Sequence, residues 1–135
     1  MITAVDTNVL FDVLLEDPQF RAGSEEALRG ASHEGALVIC DVVYAELAGL
    51  FPESSALDDF LSETGVELKS STPETLWKAG HLWRSFCLRT SRRQEMARRI
   101  VADFLIGAHA LLQADQLLTR DKGFYKTSFS GLSLA

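Results

Sequence analysis

Short apolar runs alternate along the chain with stretches in which apolar residues recur at helical spacing. The runs predict buried strands at 2–5, 36–40, 66–69 and 116–119, with 132–134 as a candidate last strand. The periodic stretches predict helices at 8–16, 20–33, 41–50, 53–64, from 71 to about 88, and 101–114. Strands separated by helices favour an α/β fold whose parallel sheet is covered by helices on both faces, with right-handed crossovers.

The bulk properties favour one folded domain over residues 1–135. A hydrophobic share of 47% excludes a disordered chain. No apolar run approaches the roughly 18 residues that a membrane span needs. The first residues lack the basic segment of a secretory signal, and the two cysteines, Cys40 and Cys87, lie far apart. We therefore expect a cytoplasmic protein without a disulfide framework and without a membrane contact.

Charge is distributed unevenly along the chain. The net charge is −6, but residues 84–99 hold six arginines against one acid, a local charge of +5 that leaves −11 for the remainder. A local field decides where a polyanion docks, so this segment is a candidate for RNA phosphates. Its alternatives are a solvated face or an anchor for an acidic partner. The residues assigned to RNA contact are Arg89, Arg92, Arg93, Arg98 and Arg99.

Four acids are predicted to reach one edge of the sheet. Asp6 directly follows the first strand, and Asp121 comes just after the strand at 116–119. Glu46 lies about one turn into the helix after the second strand. Asp103 opens the helix that feeds the strand at 116–119, and such a helix begins at the carboxyl edge. Ligands of open α/β sheets bind at this edge.

Two of these acids lie in apolar surroundings, which is costly for a carboxylate unless its charge is compensated. Glu46 shares a helical stripe with valine and leucine, and Asp103 is the only charge in the run 100–112. Clustered carboxylates also repel one another, and a divalent cation such as Mg²⁺ or Mn²⁺ relieves both problems. Taken singly, Asp6 and Asp103 also fit helix N-termini, Asp121 a turn and Glu46 a solvated face. Asp12, one turn past Asn8, is expected to be exposed.

At these residues the chain resembles the PIN-domain family, in particular VapC-like ribonuclease toxins of toxin–antitoxin pairs. The segments that carry the resemblance follow the family's order and spacing over nearly the whole chain. They are Val5-Asp6-Thr7-Asn8-Val9-Leu10, Val43-Tyr44-Ala45-Glu46-Leu47, Ala102-Asp103-Phe104-Leu105-Ile106-Gly107-Ala108-His109-Ala110 and Leu117-Leu118-Thr119-Arg120-Asp121-Lys122-Gly123-Phe124-Tyr125. One departure is Ala102, where relatives often have proline.

The resemblance implies a three-layer Rossmann-like domain with strand order 3-2-1-4-5 and Mg²⁺ or Mn²⁺ held by Asp6, Glu46, Asp103 and Asp121. It assigns supporting roles to Asn8 and Thr119. It further implies an endoribonuclease in which a metal-activated water hydrolyses RNA to 5′-phosphate and 3′-hydroxyl ends. A cognate antitoxin and a homodimer are also implied, and the helices at 8–16 and 41–50 either line the antitoxin groove or belong to the core.

Two other classes of function remain as rivals. A non-catalytic or non-toxin PIN-like module would bind RNA or protein without cutting, and the presence of all four acids counts against it. A receiver or phosphatase domain also places an acid after its first strand. The Asp-x-Asp signature of one phosphatase class fails here, because the residue two positions after Asp6 is Asn8.

Overall fold

The computed structural model describes residues 1–89 and 101–135. The strands are β1 (Ile2–Val5), β2 (Ala36–Ile39), β3 (Val66–Leu68) and β4 (Gln116–Leu118). The helices are α1 (Thr7–Leu14), α2 (Arg21–Glu34), α3 (Asp41–Ala48), α4 (Ser54–Thr64), α5 (Pro73–Arg89), α6 (Val101–Gln113) and α7 (Lys122–Ser128). The predicted α/β class is confirmed.

The described strands form a parallel sheet in the order β3-β2-β1-β4. Strand β1 lies inside the sheet, where Ala4 pairs with Val38 on one side and with Leu117 on the other. All but the first residue of β1 and of β2 are buried, as expected for strands covered on both faces. The carboxyl end of β1 therefore opens at the middle of one sheet edge.

The predicted fifth strand is reduced to a single parallel bridge between Leu134 and Leu117. The Leu117 amide donates to the Ser133 carbonyl and the Ala135 amide donates to the Leu117 carbonyl, each at 2.9 Å. Gly131, just before this segment, has a φ of 85° and turns the chain there. The segment thus takes the outer side of β4, as order 3-2-1-4-5 requires, but is too short for a ladder.

Helix α7 is absent from the prediction. Its seven residues begin with Lys122 and Gly123, which carry little helical signal, and its apolar residues are too few to show a period. The helix is nevertheless anchored, because Tyr125 is buried and the rings of Phe124 and Tyr125 meet edge to face. It follows β4 directly and so stands beside the carboxyl edge of the sheet.

An aromatic cluster joins α6 to α7. The Phe104 ring on α6 lies 5.5 Å from that of Phe124 and 5.6 Å from that of Phe129. A Cβ at Gly107 would overlap the Phe129 ring, so only glycine allows this approach. The cluster fixes the first turns of α6, which carry Asp103, against the segment that follows Asp121.

The remainder of α6 holds the loop after β3. Buried His109 bonds through Nε2 to the Lys69 carbonyl at 2.8 Å, and burial lowers the pKa of this imidazole. Gln113 accepts hydrogen bonds from the Thr72 amide and the Thr75 hydroxyl and donates to the Ser70 carbonyl. These contacts set the position of α6 along the sheet.

Helices α1 and α3 each contribute two apolar residues to the buried core. Val9, Leu10, Val43 and Leu47 are all buried against the sheet and the neighbouring helices. Within the described residues, no helix is both long enough and apolar enough to cross a membrane.

Candidate active site

The structure brings all four predicted acids to one hollow at the carboxyl edge of the sheet. Asp6 follows β1, Glu46 projects from α3, Asp103 from the first turn of α6, and Asp121 lies between β4 and α7. The hollow has a volume of about 220 Å³. Its lining comprises these four acids with Thr7, Asn8, Phe11 and Ile106.

Asp6 is the most deeply buried of the four, with 5% of its surface exposed. Its Oδ2 accepts a hydrogen bond from the Thr119 hydroxyl at 2.7 Å and another from the Asn8 amide at 3.3 Å. Burial raises the pKa of Asp6, and the Thr119 hydroxyl is the largest influence that lowers it. Asp6 precedes α1, but its side chain makes no capping hydrogen bond to this helix. Its carboxylate is therefore oriented by two side chains and faces the hollow.

Thr119 and Asn8 connect Asp6 to the segment that carries Asp121. The Asp121 amide donates to the Thr119 hydroxyl at 3.0 Å, and the Arg120 amide donates to Asn8 Oδ1 at 3.3 Å. Thr119 is buried, and the Asp121 side chain makes no capping hydrogen bond to α7. One small network thus sets the relative positions of Asp6 and Asp121.

Glu46 differs from its prediction. It is exposed, because α3 buries Val43 and Leu47 and leaves Glu46 on the flank beside them. The expectation of a carboxylate pressed against an apolar face is therefore wrong. Its Oε1 instead accepts a hydrogen bond from the buried Thr7 hydroxyl at 2.8 Å, and this bond draws the side chain toward the hollow.

Asp103 experiences the charge of the other three acids. Its pKa is raised to about 6, first because burial penalises the carboxylate and then because Asp6, Asp121 and Glu46 repel it, in that order. The side chain is half-buried near the start of α6. Burial and the negative charge of the hollow together keep Asp103 protonated to a higher pH than an ordinary aspartate.

Sequence reasoning missed Tyr125. Only 1% of its surface is exposed, and its hydroxyl has no hydrogen-bond partner among the described residues. Asp6 nevertheless lies close enough for each group to affect the pKa of the other: Tyr125 lowers that of Asp6, and burial followed by Asp6 raises that of Tyr125. Tyr125 ends the last segment that carries the family resemblance, but no role was predicted for it because α7 itself was not predicted.

The prediction for Asp12 is also wrong. Only 3% of its surface is exposed, and it is paired with Arg120, which separates Thr119 from Asp121. The signal that pointed to it was its position one helical turn after Asn8. A salt bridge between residues 108 positions apart leaves no local trace in a sequence.

The donor set fits a hard divalent cation such as Mg²⁺ or Mn²⁺, since all four acids supply oxygen. Among the residues that the structure describes, however, no three His, Cys, Asp or Glu side chains lie close enough together to hold one ion.

The predicted RNA-binding arginines are located only in part. Arg89 is exposed at the last residue of α5. Arg92, Arg93, Arg98 and Arg99 lie outside the described residues.

Comparison with known proteins gives one family and several related folds. The family model described as PIN domain matches residues 3–130. The structure resembles that of VapBC2 from Rickettsia felis bound to a DNA fragment from their promoter, with 21% identity, 100% of this chain and 98% of that chain covered, and a TM-score of 0.69. It also resembles VapBC-1 from nontypeable Haemophilus influenzae, with 18% identity, coverage of 100% and 97%, and a TM-score of 0.70. No curated protein matches the chain.

Proposed function

The chain belongs to the PIN domain family, and we propose that it is a divalent-metal-dependent endoribonuclease, the toxin of a toxin–antitoxin pair. The observation that carries the nuclease proposal is the convergence of four acids on one hollow, where burial, followed by the repulsion of the other three acids, raises the pKa of Asp103 to about 6. Such a cluster is poorly stable by itself and strongly favours a doubly charged ion.

Three acids are proposed as the direct or water-bridged ligands of the cation: Asp6, Asp103 and Asp121. Asp6 is suited to this role because the Asn8 and Thr119 side chains both donate to the same oxygen, Oδ2, and neither side chain bonds to Oδ1. When bound, Mg²⁺ or Mn²⁺ would make water a better nucleophile and stabilise negative charge on the phosphate and the leaving oxygen.

The chain's own residues position the reactants. The Thr7 hydroxyl holds Glu46 through Oε1. We assign the other oxygen, Oε2, to accept a hydrogen bond from the attacking water, whether the site binds one ion or two. The water oxygen bonds to phosphorus as the bond to the 3′ oxygen breaks. The water proton leaves to solvent and the 3′ oxygen takes up a proton, which yields 5′-phosphate and 3′-hydroxyl ends. Asn8 and Thr119 keep Asp6 and Asp121 in register during this exchange.

RNA is the proposed substrate because the basic segment at 84–99 adjoins the helix that carries Asp103 in sequence. A cognate antitoxin is the proposed partner, since the two solved structures of similar fold are VapBC assemblies. The cytoplasmic location and the homodimer stay predictions.

Cleavage of fluorescent single-stranded RNA with Mn²⁺, with Mg²⁺ and with EDTA tests the enzyme proposal. We expect cutting with either metal, none with EDTA and none by the Asp6→Asn variant. The matched control is Asp59→Asn, an exposed acid on α4 that does not line the hollow. RNA binding without cutting would favour the non-catalytic module, and phosphate release from p-nitrophenyl phosphate without RNA cutting would favour a phosphatase.

Expression in a bacterial host tests the toxin assignment separately. Growth should stop with the wild-type chain, continue with Asp6→Asn and resume when the product of the neighbouring reading frame is co-expressed. Normal growth with an active nuclease would remove the toxin assignment and leave the enzyme proposal intact.

A further inference from the structure

A salt bridge joins Arg120, next to Asp121 in the chain, to buried Asp12. The Arg120 guanidinium donates from Nε to Asp12 Oδ2 at 2.7 Å and from Nη2 to Asp12 Oδ1 at 3.0 Å. This bidentate arrangement is the strongest that arginine and a carboxylate can form. Asp12 belongs to α1 and does not line the hollow, so its charge serves another purpose than cation binding.

Two further contacts hold the guanidinium in place. The Ser24 hydroxyl on α2 donates to Asp12 Oδ2 at 2.6 Å, so this oxygen accepts from two groups at once. The Arg120 Cζ lies 3.9 Å from the centre of the Phe20 ring, a cation–π distance. The guanidinium is thus fixed by groups of α1 and of the start of α2, outside the hollow.

The backbone of Arg120, in contrast, belongs to the site. Its amide donates to Asn8 Oδ1, and its chain neighbours are Thr119, which bonds to Asp6, and Asp121, which lines the hollow. A long cationic side chain therefore starts at the rim of a negative hollow and is a candidate counter-ion to the acids. Asp12 competes with them for this cation.

We propose that Asp12 is a positioning residue for the acid site, which holds the Arg120 guanidinium against α1 and the Phe20 ring, outside the hollow, and so keeps the hollow open to a divalent cation. This inference rests on the proposed function, because it assumes that the hollow binds such a cation. Without the Asp12 carboxylate, Arg120 turns toward Asp6 and Asp121 and opposes the incoming ion. A bridge that served folding alone would have no such effect on cation affinity.

Titration calorimetry tests the proposal by measuring the binding of Mn²⁺ to the purified full chain at 0.15 M and 0.5 M KCl. The variant Asp12→Asn keeps the shape and an acceptor for Ser24 but loses the charge. The double variant Asp12→Asn/Arg120→Gln removes the guanidinium as well. Asp17→Asn is the matched control, because Asp17 influences Arg120 only through space and an asparagine there still accepts from the amides of Gln19 and Phe20. Circular dichroism verifies that each variant is folded.

We expect Asp12→Asn to raise the Mn²⁺ dissociation constant about tenfold or more, because an unpaired guanidinium at the rim repels a divalent ion. The double variant should return to within about threefold of the wild-type value, and Asp17→Asn should stay within the same range. The Asp12→Asn defect should persist in part at the higher salt concentration, because a guanidinium paired directly with the acids of the hollow is screened less than separated surface charges are.

The outcomes separate the two proposals. Equal affinity of Asp12→Asn and wild type, or a double variant as weak as the single one, overturns the positioning role. If Asp12→Asn does not fold, the double variant decides: wild-type affinity supports the role. A loss equal to that of a variant destabilised away from the hollow refutes it, and Gly35→Ala, just before β2, is such a variant because its Cβ would overlap the Met1 backbone. Absence of Mn²⁺ binding by the wild type itself overturns the proposed metal dependence instead.

Discussion

Replacement of Asp103 by asparagine should change the stability of the protein in opposite directions without and with a divalent cation. Burial and three neighbouring acids raise the pKa of Asp103 from its usual 3.8 to about 6. The folded protein therefore binds a proton at Asp103 more tightly than the unfolded chain does. The stability that this protonation supports is complete below pH 4 and is lost as the pH rises through 6, since the folded state must then ionise the group.

The size of the effect follows from the shift. A rise from 3.8 to about 6 corresponds to at most about 3 kcal/mol at 1.36 kcal/mol per pKa unit. Because Asp103 is half-buried and solvent screens part of the repulsion, roughly 1.5 kcal/mol is the expected value. An asparagine side chain resembles the protonated acid in shape, so at pH 7.5 in EDTA the Asp103→Asn variant should be more stable than wild type by this amount.

Urea unfolding at pH 4 and pH 7.5, each in EDTA and in excess Mn²⁺, measures these differences. In EDTA the advantage of Asp103→Asn should vanish at pH 4. In Mn²⁺ at pH 7.5 the order should reverse, because a ligand at 100 times its dissociation constant stabilises the wild type by about 2.7 kcal/mol and the variant by less. Asp59→Asn, an exposed acid on α4, is the control and should show neither effect. A variant less stable than wild type in EDTA at pH 7.5 would refute the electrostatic reasoning.

Three further predictions concern single groups around the site. Tyr125→Phe removes a buried hydroxyl that has no partner among the described residues, so the free energy of unfolding in EDTA should rise by about 1 kcal/mol. The control Tyr44→Phe, which loses a bond to Asp58, should not gain stability. A drop for Tyr125→Phe would show that the hydroxyl is already bonded. Gly107→Ala forces a Cβ into the Phe129 ring and should cost about 1–3 kcal/mol in urea unfolding, against no comparable loss for Gly80→Ala, where the same atom meets nothing. Thr119→Val deprives buried Asp6 of its shortest hydrogen bond and should lower the free energy of unfolding by about 1–3 kcal/mol at pH 7.5. The loss should be smaller at pH 4, where Asp6 is closer to protonation. An equal loss at both pH values would contradict the role of the Asp6 charge.

Local sequence pattern predicted most of the fold because the strands are buried on both faces and the helices have clear apolar stripes. The strand at 2–5 and the helix that begins at Val101 appear where the periodicity placed them. Helix α7 and the fifth strand differ because each depends on tertiary contacts: α7 on the aromatic cluster around Phe104, and residues 132–134 on a single pairing with β4.

The acid hollow was predictable from topology alone. Residues that directly follow parallel strands, and residues that begin the helices returning to them, must lie at the carboxyl edge. Side-chain environments were not predictable in the same way. Glu46 sits in an apolar stretch of sequence yet is exposed, and Asp12 sits on an amphipathic helix yet is buried, because the partners that decide these outcomes, Thr7 and Arg120, reach them only in the folded chain.

The acids of the hollow carry their charge in different ways, and this difference explains how the fold tolerates them together. Asp6 is buried and depends on the donors Thr119 and Asn8. Glu46 escapes burial by lying on the rim, where Thr7 holds it. No described side chain donates a hydrogen bond to Asp103, and burial followed by the neighbouring acids raises its pKa. A proton on Asp103 and a cation in the hollow are therefore alternative ways to compensate the same excess of negative charge. The Arg120 guanidinium would be a third compensating charge, and its bidentate bond to Asp12 keeps it out of the hollow.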